Sequence, residues 1–154
     1  MENPSHRFVE ALRPAGRIDR VTQLREEWRL ARSAHRDLQI LRMGRMNVLL
    51  TGEEGPVENV LDMLRPNLRA PIRNWQPNDR LALPLAEVGT MILRDVGALP
   101  PDDQHRLLEW LDLTAGRTQV VSTTTASLLA RVRAGEFLDT LYYRLNTVCV
   151  DATP

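Results

Sequence analysis

Met46-Asn47-Val48-Leu49-Leu50-Thr51-Gly52-Glu53-Glu54-Gly55-Pro56-Val57-Glu58 is the stretch whose reading decides how this chain folds. The apolar run from Met46 to Leu50 ends in Thr51-Gly52, the pattern of a buried strand feeding a glycine turn. Beyond the turn, Val57, Val60, Leu61 and Leu64 recur at helical spacing, and Pro66 closes that helix. Strand, turn and helix therefore follow one another directly.

The same alternation continues toward the C-terminus. Pro71-Ile72-Arg73 reads as a short strand in a proline-punctuated connector, and Gly89-Thr90-Met91-Ile92-Leu93 as a second buried strand. Pro100-Pro101-Asp102 then opens a helix that puts Leu107, Leu108 and Leu111 on one face. Gln119-Val120-Val121-Ser122 is the next strand. Leu128, Leu129 and Val132 form a helical stripe that Gly135 breaks; Leu138, Leu141 and Leu145 resume it, and Val148-Cys149-Val150 is a last strand. Strands alternating with helices of about ten residues predict parallel β-α-β units with helices on both faces, an α/β doubly wound fold.

Toward the N-terminus, Pro4, Pro14 and Gly16 mark residues 1–16 as a loose tail, with the α/β domain expected over 17–154. Val21, Leu24, Trp28, Ala31 and Leu38 predict an amphipathic helix whose arginines face water. No apolar run approaches the roughly 18 residues of a membrane span. The first residues carry charges throughout with no apolar stretch, so the expected location is cytoplasmic.

Charge narrows the function classes. Twenty acidic side chains balance twenty basic ones, leaving no strong field to attract nucleic acid, so direct DNA binding is not expected. All the basic residues are arginine, and lysine is absent. Cys149 is the one cysteine and is expected to be a small buried hydrophobe. His6, His35 and His105 lack neighbouring thiols or carboxylates at ligand spacing, so no metal site is expected. No Gly-x-Ser-x-Gly elbow occurs, and the tryptophans are expected to pack rather than stack on bases.

Three segments carry a family resemblance. Residues 47–55 resemble the strand and phosphate-loop opening of sigma-54-dependent activators, a branch of the AAA+ P-loop ATPases. Residues 89–100 resemble the family's Walker B stretch, and Gln104-His105-Arg106-Leu107-Leu108 the helix after it. Phe137 through Asn146 resembles its arginine-finger segment. The resemblance implies a three-layer P-loop NTPase core with a mainly parallel sheet. It implies no helical lid, because the sequence stops just after the arginine-finger segment, and nothing here is similar to the Gly-Ala-Phe-Thr-Gly-Ala loop that touches sigma-54.

Carried over residue by residue, the resemblance leaves a vestigial nucleotide site of Gly52, Glu53, Gly55, Glu58, Arg94, Asp95 and Thr125. A working phosphate loop needs glycines at its bends, free N–H groups and a lysine on the β- and γ-phosphates. Glu58 stands at the lysine position, Pro56 lacks a donor, and Val57 replaces a loop glycine. Arg94 stands at the magnesium-binding aspartate, Asp95 at the catalytic glutamate, and Thr125 at a sensor asparagine. Glu58 and Arg94, reversed in charge together, are expected to pair across the site. Of two family arginines aimed at a neighbouring subunit, the first aligns with Leu138; Arg144 alone persists, as an interface residue or a local salt bridge.

The reading is a non-catalytic regulatory protein that binds no ATP or magnesium. It would act on a protein partner such as an activator subunit, sigma-54 or a signalling protein, as a monomer or dimer rather than a hexamer. The alternatives are weak ATP or ADP binding through Gly52, Gly55 and the helix N-terminus, or reception of a small-molecule signal in the vacated pocket.

Overall fold

The structure, a computed structural model, describes residues 46–86 and 89–153. The expected tail, the amphipathic helix of Val21 to Leu38, Trp28, His6 and His35 lie outside the described residues. Five strands form the frame: β1 (Val48–Thr51), β2 (Ile72–Trp75), β3 (Thr90–Leu93), β4 (Gln119–Thr124) and β5 (Val148–Asp151). Between them run α1 (Glu54–Leu64), α2 (Pro101–Leu113), α3 (Leu128–Arg133) and α4 (Asp139–Leu145). Short 3-10 turns follow α1 at Arg65–Asn67 and β3 at Val96–Ala98.

The sheet is wholly parallel, in the order β2-β3-β4-β1-β5. Alternation along its apolar strands assigns side chains to two cores. Val48, Leu50, Ile92 and Val121 meet Val57, Leu61 and Leu64 of α1 on one face. Leu49, Met91, Leu93 and Val120 meet Leu107, Trp110 and Leu111 of α2, Leu128 of α3, and Leu141 and Leu145 of α4 on the other. These are the expected three layers. All six residues of β4 are buried, which is why that segment has no polar-out alternation to read.

Element boundaries follow local chemistry. The β2 ladder extends past the expected Pro71-Ile72-Arg73 to Trp75, because Trp75 buries its ring and its indole N–H donates to the Asp79 carbonyl at 3.0 Å. Trp110 does likewise, donating to the Pro84 carbonyl at 2.8 Å, so both tryptophans pack as expected. Gly89 has a steric reason: a Cβ there would lie 2.4 Å from the Ala70 carbonyl carbon and the Arg69 oxygen.

Two side-chain amides tie elements together. Asn47 donates to the Arg144 carbonyl at 2.8 Å and accepts from the Val120 N–H at 2.9 Å, joining the approach to β1, β4 and the end of α4. Gln104, 2% exposed on α2, donates to the Leu99 and Glu136 carbonyls and accepts from the Leu138 N–H. By contrast, the buried Ser122 and Thr118 hydroxyls have no hydrogen-bond partner among the described residues.

Cys149 requires a correction: it is exposed, not buried. β5 is an edge strand with a half-buried, exposed, half-buried, exposed pattern, so the apolar run around Cys149 does not imply two covered faces. Partial desolvation still pushes its thiol pKa up, a hydrogen bond from Thr51 opposes the rise, and Asp151 adds to it. A raised pKa gives less thiolate near neutral pH. No described helix is long and apolar enough to cross a membrane.

Gln104 bonds three backbone groups, the buried Leu99 carbonyl and the partly buried Glu136 carbonyl and Leu138 N–H, and Gln104→Ala removes the partner of all three. We expect a loss of about 3 kcal/mol, read as a fall in the midpoint of urea unfolding monitored by circular dichroism.

Candidate functional site

The carboxyl ends of β1 and β4 lie side by side, Thr51 opposite Thr124, while β3 ends at Leu93 opposite Ser122. The Gly52 N–H donates to the Thr124 carbonyl at 3.2 Å, the Ala152 N–H to Thr51 at 2.7 Å, and the Arg94 N–H to Trp75 at 2.9 Å. Connections leave β1 and β4 toward opposite edges of the sheet, a reversal that opens a crevice beyond the strand ends. The crevice here is a cleft of about 370 Å³ lined by Gly52, Thr123, Thr124 and Thr125, with Glu54, Val57 and Glu58 of α1 on one wall. Gln76, Pro77, Arg94 and Asp95 complete it.

Gly52 is required. Its φ of 139° suits only glycine, and a Cβ there would come within 3.3 Å of the Ala152 carbonyl carbon and the Thr153 nitrogen of the β5 end. After it, Glu53 is extended at φ −66° and ψ 156° and caps α1, which starts at Glu54. The family resemblance casts Val57 as the replacement of a loop glycine, whereas the spacing of Val57, Val60, Leu61 and Leu64 reads as helix. The structure has a helix there: the Val57 N–H donates to the Glu53 carbonyl at 3.1 Å, and Val57 is buried against the sheet. Glu54 in the first turn and Pro56, whose missing N–H costs nothing there, make this a good helix start. Gly55 has no steric role, since a Cβ would meet nothing within 4 Å.

Facing α1, Arg94 at the end of β3 forms the expected ion pair with Glu58. Both side chains are partly screened, 27% and 34% exposed, so the pair sits in the cleft wall rather than on open surface. Asp95 takes a left-handed φ of 45°, its N–H held by the Thr123 hydroxyl at 3.0 Å while its carbonyl accepts from Ala98. Aspartate tolerates that conformation better than most residues.

Of the vestigial-site residues, Gly52, Glu58, Arg94, Asp95 and Thr125 converge on the cleft. Glu53 and Gly55 do not line it. Gln76, Pro77 and the Thr123 hydroxyl were missed by sequence reasoning; their signal is position, each lying at or just beyond a strand end. Arg144 lies elsewhere, ion-paired with Asp112 of α2, its local salt-bridge alternative. Among the described residues, no group of three His, Cys, Asp or Glu side chains is placed to hold a metal ion.

An all-parallel sheet flanked by helices, with a glycine turn entering a helix beside a cleft at the strand ends, is the core of the P-loop nucleoside triphosphatase fold. The model of one family, the sigma-54 interaction domain, matches residues 30–154, and the chain belongs to that family. NtrC, a DNA-binding transcriptional regulator of Rhizobium meliloti, is 36% identical over 80 residues, 45% of this chain and 16% of its own length. NtrX from Brucella abortus, solved in complex with ATP, matches 99% of this chain and 46% of its own with a TM-score of 0.61 at 15% identity. The P-loop NTPase domain of an E. coli sigma-54 activator matches 75% of this chain and 94% of its own, with a TM-score of 0.56 at 20% identity. The two structural likenesses are of fold. The chain spans under a fifth of the length of NtrC and about half that of NtrX.

Two substitutions separate the glycines. Gly52→Ala should cost roughly 1–3 kcal/mol through backbone strain, whereas Gly55→Ala, inside the first helical turn, should be neutral or stabilise by up to about 1 kcal/mol. Thermal unfolding of the two variants checks this. A double-mutant cycle on Glu58 and Arg94 should give a coupling of about 1 kcal/mol that shrinks with salt; an Arg94→Ala variant as stable as its parent would remove the pair from the account.

Proposed function

We propose that this domain is a non-catalytic regulatory member of its family that acts through protein contacts, with an activator subunit, sigma-54 or a signalling protein as partner. In this reading it is cytoplasmic and contacts no DNA directly. It handles neither ATP nor magnesium, and it works as a monomer or dimer because no nucleotide is held at a subunit joint.

The observation that carries the proposal is the Glu58–Arg94 ion pair. A unit charge about 4 Å from another at an effective dielectric near 20 is worth roughly 4 kcal/mol. A carboxylate in place of an ammonium turns that attraction into repulsion, a swing of at least about a thousandfold in affinity. Arg94, at the magnesium-ligand position, repels the metal as well. The helical path of Glu54 to Val57 supports the reading independently, because it commits the Val57 N–H to the Glu53 carbonyl instead of an anion. The hydrophobic frame on both faces of the sheet is meanwhile intact. Arg144, the candidate interface residue, would have to leave Asp112 to serve a partner.

The second reading, weak ATP or ADP binding, draws on the unpaired donors that every helix start offers, here at α1 beside Gly52. Magnesium-ATP at millimolar concentration is expected to leave the melting temperature unchanged, as measured by differential scanning fluorimetry. A clear rise would transfer support to the second reading.

A further inference from the structure

We draw no further inference here: the strongest candidate, the outer edge of β5 (Val148–Asp151) with its exposed Cys149, is a short edge strand carrying a lone cysteine, and nothing in the structure shows what covers it.

Discussion

β4 is buried along its whole length, so none of its backbone groups can turn to water for a hydrogen bond. It meets that requirement by pairing with β3 on one side and β1 on the other, in register from Val48 opposite Val121 to Thr51 opposite Thr124. Two covered faces demand two apolar rows, and those rows recruit α1 to one side and α2, α3 and α4 to the other. The paired ends of β1 and β4 follow from the same register, and the cleft is the space left where the ladder stops.

What stands in that space is a matter of charge. A half-screened carboxylate facing a guanidinium is satisfied without a ligand, so this part of the fold needs no bound anion to be electrostatically complete. The helix start moves in the same direction, converting what the family resemblance casts as a loop around phosphate into a turn that spends a donor on its own backbone. Both features fit a domain retained for its shape and surface.

Much of the fold was legible because its signals are strong and local. Val48 to Leu50, Met91 to Leu93 and Val120 to Val121 are continuous apolar runs, which only a strand covered on both faces requires, and Pro101 and Gly135 punctuate the helices where expected. The ion pair was legible because the family resemblance sets two opposite charges, Glu58 and Arg94, at positions that share one site. The edge strand misled: Val148-Cys149-Val150 has the composition of a core strand, but an edge position is set by topology that no run of four residues contains. The helical path through Gly55 and Pro56 was obscured by the family pattern, which reads glycine there as a bend although Pro56 and Glu54 are good first-turn residues. Gln104 was quoted as part of a motif, and its role emerges only when Leu99, Glu136 and Leu138 are brought around it by the fold. Gln76 has no periodic signal and joins the cleft solely because β2 ends one residue earlier.

The Glu58–Arg94 contact also restricts how this lineage can drift. Turning either residue alone into its opposite would press two like charges together in a half-screened spot, a penalty that a domain of ordinary marginal stability absorbs poorly. The two positions are therefore coupled, and a charge change at one is best tolerated when the other changes with it.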